Sequence, residues 1–212
     1  MPRWLIVLLV VLLATLLWVG HHGHSPTAFG SGGTAMVCPA APMFSNPDQP
    51  LQSDVDGRMS PFRMDSATIS PLAGFSLQAR VLSRENYHMG READYSPTDL
   101  ALGWGPMSQP GMADRLHISQ DGRWYRYEWG SEGPPLAPDD IRRDSANMHM
   151  VPADRGVADA LERVKTGDIV RLNGWLIRID DDRGWHWKSS LSREDSGAGA
   201  CELVLVCSIE TR

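Results

Sequence analysis

The stretch that decides the fold is Asp168-Ile169-Val170-Arg171-Leu172-Asn173-Gly174-Trp175-Leu176-Ile177-Arg178-Ile179. Val170, Leu172, Gly174, Leu176 and Arg178 share one side of an extended chain. Ile169, Trp175, Ile177 and Ile179 share the other. Side chains alternate with period two in a strand, so this is a long strand with apolar residues on both faces. Gly174 permits a bend of the kind that closed sheets require. Just upstream, Asp154 is an expected N-cap, Val157, Ala160, Leu161 and Val164 recur at helical spacing, and Gly167 is an expected stop, which predicts a helix over Asp154–Lys165.

Further strands follow from the same reasoning. Phe75–Val81 alternates apolar and polar residues. Leu116–Ser119 and Arg123–Trp129 flank Gln120-Asp121-Gly122, whose Asp-Gly pair marks a hairpin. Gly184–Lys188 is a short strand after the turn Asp180–Arg183, and Cys201–Ile209 is the last, with Cys201, Leu203, Leu205 and Cys207 on one side. Residues 84–113 read as an irregular insertion suited to a lid. Asn147–Pro152 reads as an edge strand ended by proline.

The expected fold is mainly β: a small barrel of about five strands with one helix and a long insertion. In order and pattern, residues 75–83 and 116–209 resemble an OB-fold barrel. Such barrels bind oligonucleotides, oligosaccharides or proteins, so the resemblance implies binding without naming a ligand. The chain as a whole is similar to a class of uncharacterised proteobacterial membrane-anchored envelope proteins. That resemblance rests on Ser96–Gly105, Asn147–Ala153 and Gly199–Glu202, and it implies location only.

The N-terminal segment carries the expectation about location. Trp4–Val19 holds a single polar side chain, Thr15, and spans roughly 24 Å as a helix. Arg3 at its start favours a cytoplasmic N-terminus. The segment is either a cleaved signal or an uncleaved anchor. No small-x-small motif follows it, since Gly20-His21-His22-Gly23-His24 comes next, and this favours the anchor. The expected organisation is a transmembrane signal-anchor over 1–20, a flexible Gly/Pro/Ser-rich linker over 21–70 and an OB-like domain over 71–212. The expected location is the inner membrane, single-pass through residues 4–19, with the C-terminal domain in the periplasm. A net charge of −6 argues against a nucleic-acid partner.

Candidate chemistry is sparse. Cys201 and Cys207, six apart in one strand, lie about 20 Å from each other and cannot bridge. The expected disulfide is Cys38–Cys201. The alternative makes Cys201 a nucleophile, His149 its base, and Asp195 or Asn147 the group that orients the imidazole. His21, His22 and His24 read as solvated linker, and no histidine or cysteine spacing predicts a metal site, so neither metal nor cofactor is expected. Asp139-Asp140, Asp180–Asp182 and Glu194-Asp195 read as solvated turns. Aromatic residues are the most distinctive feature. Trp104, Tyr127 and Trp129, with Asn147, are the candidate binding residues, because a small core does not hold both faces of the 124–129 strand. The expected function is a membrane-tethered periplasmic binding or assembly domain with an envelope protein partner, a glycan being the variant. The alternative is a cysteine-dependent hydrolase or transferase using Cys201 and His149.

Overall fold

The computed structural model describes residues 38–43, 46, 48–192, 197 and 199–212. The predicted membrane segment, most of the linker's first half and Asp195 lie outside them. Among the described residues no helix is long and apolar enough to cross a membrane.

The chain is mainly β. It runs β1 (Leu51–Ser53), β2 (Phe62–Met64), β3 (Ala67–Asn86), α1 (Arg91–Tyr95), β4 (Thr98–Gly103), β5 (Leu116–Asp121), β6 (Trp124–Trp129), α2 (Pro138–Arg143), β7 (Ser145–Pro152), α3 (Arg155–Arg163), β8 (Ile169–Asp181), β9 (His186–Lys188) and β10 (Glu202–Thr211). One large sheet follows the path β3–β4–β7–β10–β8, and β8 returns to β3, so five strands make a closed circuit. Every pairing in it is antiparallel except β7 with β10. The circuit closes through β3, whose residues 67–80 pair with β8 and 80–86 with β4. Its register shifts between Pro71 and Ala73 and between Val81 and Ser83. Such shifts bend a strand, and the first accommodates Pro71, which has no N–H to donate.

The two faces of β8 enter two different cores. Val170, Leu172 and Leu176 join Phe75, Leu77, Leu100, Met148 and Val204 inside the circuit, where α3 contributes Val157 and Leu161. Trp175, Ile177 and Ile179 join Ile69, Leu203 and Leu205 outside it. Helix α3 is capped as expected, the Asp154 carboxylate accepting from Val157 N–H at 2.9 Å. At its other end the Arg84 guanidinium donates to the Leu161 and Val164 carbonyls. Gly174 is required by close approach: a Cβ there would collide with the carbonyl oxygen of Leu205 on β10.

Four expectations are corrected. Residues 84–113 are no irregular insertion: β3 runs to Asn86, and Thr98–Gly103 is β4, a central strand. Both faces of β4 are buried, so it shows no alternation to read. The 116–129 hairpin is not part of the circuit but a separate two-stranded sheet. Ile118, Tyr125 and Tyr127 on it pack over Leu82, Ala101, Met107 and Ile141, a third core on the outer surface. The 145–152 strand is no edge: β7 lies between β4 and β10, with Pro152 at its last residue. There are three helices among the described residues instead of one.

The fold also begins well before residue 71. β1 and β2 pair with β3, and Cys38–Ala41 docks on β8. Asn173 mimics a strand partner there, accepting from Ala41 N–H at 3.0 Å and donating to Ala41 C=O at 2.8 Å. Trp175 Nε1–H donates to Pro39 C=O at 2.8 Å. The disulfide fastening this segment is Cys38–Cys207, with Cα atoms 5.4 Å apart, and not the expected Cys38–Cys201. Cys207 shares the outer core with Cys38, whereas Cys201 precedes β10 and faces the hairpin.

Candidate functional site

On β4 and β7 the inward positions are apolar, so Asp99, Asn147 and His149 stand on the outer face, Asp99 directly opposite His149. A polar outer face ordinarily meets water. Here the tip of the β5–β6 hairpin covers it, and Asp99 is 0% exposed. The loop of that hairpin is Gly122-Arg123, both at positive φ. That conformation is ordinary for Gly122 but disfavoured for Arg123, at φ 72°.

The strained turn directs Arg123 back onto the barrel face. Its Nη1 donates to Asp99 Oδ1 at 2.6 Å, and its Nη2 to Ser96 C=O at 2.8 Å. Its guanidinium lies 3.7 Å from the centre of the Tyr87 ring and 5.5 Å from that of Trp187. Asn147 Nδ2 donates to Asp99 Oδ2 at 3.2 Å, and Gln120 Nε2 donates to Asn147 Oδ1 at 2.7 Å. His149 Nδ1 stands 2.9 Å from Asp99 Oδ1, misaligned for a hydrogen bond. Trp187 packs on the imidazole, centroids 4.7 Å apart. Burial, reinforced by the Asp99 charge, pushes the Tyr87 hydroxyl up to about 12, although it accepts from Arg123 N–H at 3.1 Å. This network is a rivet: one buried carboxylate holds the hairpin against the barrel.

Beside the rivet lies a cavity of about 240 Å³. Trp104, Trp124, Tyr125 and Tyr127 supply its aromatic lining, and Arg142, Asn147, Cys201 and Glu202 border it. Trp104 is buried, while Trp124 is 43% exposed. Tyr125 and Tyr127 lie 5.6 Å apart, and the Tyr125 hydroxyl donates to Ser145 Oγ at 3.2 Å. Burial pushes the Tyr125 hydroxyl up to about 12, so it stays neutral at any physiological pH. A second, more open hollow of about 510 Å³ is bordered by Asp48, Gly105 and Asp144.

Trp104, Tyr127, Asn147 and Cys201 therefore line one cavity. Trp129, also a candidate, stands at the far end of β6, 39% exposed and outside that lining. Among the described residues no group of three or more His, Cys, Asp or Glu is placed to hold a metal ion. Sequence reasoning missed Asp99 and Arg123. Both had signals: Asp99 is an acid inside the apolar run Thr98–Gly103, and Arg123 follows Asp-Gly at a position that must take positive φ. Comparison with protein-family models, with curated proteins and with solved structures finds no match to this chain.

Proposed function

We propose that the chain is a membrane-tethered periplasmic binding domain built on an OB-like barrel, and that its ligand seat is the aromatic cavity between the hairpin and β7. The expected partner is another component of the cell envelope, most simply a protein. The OB-like reading is supported by the strand circuit. Its first strand (β3) pairs with the second and fourth (β4, β8), the third and fifth (β7, β10) run parallel, and a helix falls between the third and fourth. Such barrels take ligands on the face of strands two and three, between the loops joining strands one to two and four to five. The observation that carries the proposal is a cavity beside the third strand, between the loop joining strands four and five and the hairpin inserted between strands two and three. It is bounded by Asn147 on the third strand and by Ser192 and Cys201 from the loop between the fourth and fifth. The anchor at residues 4–19 and the Cys38–Cys207 disulfide both suit an oxidising compartment outside the cytoplasm.

A second reading, the cysteine-dependent hydrolase or transferase, has one observation in its favour. The Asp99 carboxylate lies 2.9 Å from His149 Nδ1, near the place where Asp195 or Asn147 is expected to orient the imidazole. Against it, Cys201 Sγ lies 4.0 Å from the Arg123 carbonyl oxygen, and Trp187 covers the imidazole. The binding reading is therefore preferred.

In-cell photocrosslinking tests it. A benzophenone amino acid at Trp124 is expected to give a discrete adduct in the envelope, and the same group at Met89, 90% exposed and outside the cavity, is expected to give none. Equal labelling at both positions, or none at Trp124, would remove the proposal. Rapid alkylation of native Cys201 by iodoacetamide at neutral pH, lost in His149→Gln, would favour the enzyme reading instead.

A further inference from the structure

We infer that β6 pairs edge to edge with β6 of a second copy of this chain, giving a two-fold symmetric dimer. The inference rests on the open edge of β6 and not on what the cavity holds. A strand with one neighbour presents unpaired N–H and C=O groups along its other side. Folded chains blunt such edges by keeping them short or by breaking them with proline or a bulge. In the large sheet the edge strands β1, β2 and β9 have three residues each. β6 has six residues, no proline and no register shift, and its one strand neighbour is β5. Within the hairpin it is β5 that packs beside β3.

The turn sets which groups point outward. With only Gly122-Arg123 in the loop, Asp121 and Trp124 form a hydrogen-bonded pair, and such pairs alternate along the ladder. Tyr125, Tyr127 and Trp129 therefore turn their N–H and C=O groups away from β5. No described backbone group outside the hairpin pairs with them. A second antiparallel strand fits this row in phase when Tyr127 lies opposite Tyr127 of the other copy.

Charge selects that register and makes the occupant a second copy. Centred on Tyr127, the pairing sets Arg126 opposite Glu128 of the second copy, and the two-fold axis repeats the contact. Both side chains are exposed, and among the described residues neither has an ion-pair partner within the chain. Sliding the second strand by two residues either way keeps the hydrogen-bond phase but puts Arg126 on Arg126 or Glu128 on Glu128. The strand is thus complementary to itself in one register. The aromatic residues suit the same register. Trp124 and Trp129 remain 43% and 39% exposed in the single chain. Trp129 comes opposite Tyr125, and Trp124 opposite Gly130, beside which the space is open.

The test uses the full-length chain in detergent, prepared with two different affinity tags, mixed and isolated through one of them over a range of concentrations. Wild-type copies are expected to co-isolate. Arg126→Glu alone and Glu128→Arg alone each turn both attractive contacts into repulsive ones, and each is expected to weaken self-association about thirtyfold. Mixed with each other, the two variants place opposite charges at both contacts again and are expected to associate like the wild type. That rescue distinguishes a lost contact from a lost fold. A benzophenone amino acid in place of Trp129 is expected to give an adduct of twice the chain's mass in cells. Four results overturn the inference: wild-type copies that do not associate, association that neither reversal weakens, as contact through the N-terminal segment would give, a mixture of the variants that is not rescued, or an adduct at position 129 with a different protein.

Discussion

Replacing Arg123 by methionine removes the guanidinium that neutralises Asp99 while keeping an apolar stem against Tyr87. Taking one partner from a buried ion pair costs about 3–5 kcal/mol, because the remaining charge stays desolvated. Asp99 is fully buried, but the Arg123 side chain is 18% exposed, and Asn147 Nδ2 still donates to the second carboxylate oxygen at 3.2 Å. The low end of that range applies, about 3 kcal/mol. For a chain of this size that corresponds to a fall in Tm of roughly 6–12 °C. Urea unfolding followed by tryptophan fluorescence measures it. Asp99→Asn and the double variant complete a cycle, with an expected coupling energy of about 2 kcal/mol. A loss below about 1 kcal/mol in Arg123→Met, with additive behaviour in the cycle, would refute the claim that this pair rivets the hairpin to the barrel.

Gly174→Ala drives a Cβ into the Leu205 carbonyl and is expected to destabilise by about 3 kcal/mol, as overpacking a core does, seen in the same unfolding assay. Cys207→Ser opens a crosslink between residues 169 apart and is expected to cost about 5 kcal/mol on the loop-entropy account. Non-reducing peptide mapping is expected to find Cys38 joined to Cys207, and a Cys38–Cys201 fragment would contradict the packing of the N-terminal segment. Stability is expected to fall as pH rises from about 10 to 12. The unfolded chain ionises its tyrosines near 10, while buried Tyr125 resists to about 12. The group thus contributes fully below the unfolded value and loses up to about 2–3 kcal/mol above it. Tyr87, also raised to about 12, contributes the same way, so Tyr125→Phe is expected to reduce the slope without abolishing it, and an unchanged slope would show that Tyr125 does not contribute.

Strong periodicity made β8, α3, the hairpin and one face of β10 legible in the sequence, because each has one pattern sustained over several residues. β4 was not legible: six residues between Pro97 and Trp104, buried on both sides and interrupted by Asp99, carry no alternation. The status of β7 turns on its neighbours, and a pairing partner 50 residues distant leaves no local trace: Leu203 beside His149 is read only from the sheet. The same holds for Cys38–Ala41, whose Pro- and Ala-rich composition resembles a linker until Asn173 and Trp175 bind its backbone. Of the site, the aromatic residues were visible as an excess that one core cannot hold. Asp99 and Arg123 each carried a local signal, but their partnership was not visible, since it depends on a hairpin tip folding over a strand.

The cavity as ligand seat is tested most directly by fluorine NMR of the full-length chain labelled with 5-fluorotryptophan. Soluble fragments of the cell envelope are added while all tryptophan resonances are observed. The account predicts that Trp124 and Trp104 shift in a saturable way while Trp175, sealed in the outer core, does not move. Shifts confined to Trp129 or Trp185, or an unmoved Trp124 at saturating fragment, would place the ligand elsewhere and contradict it.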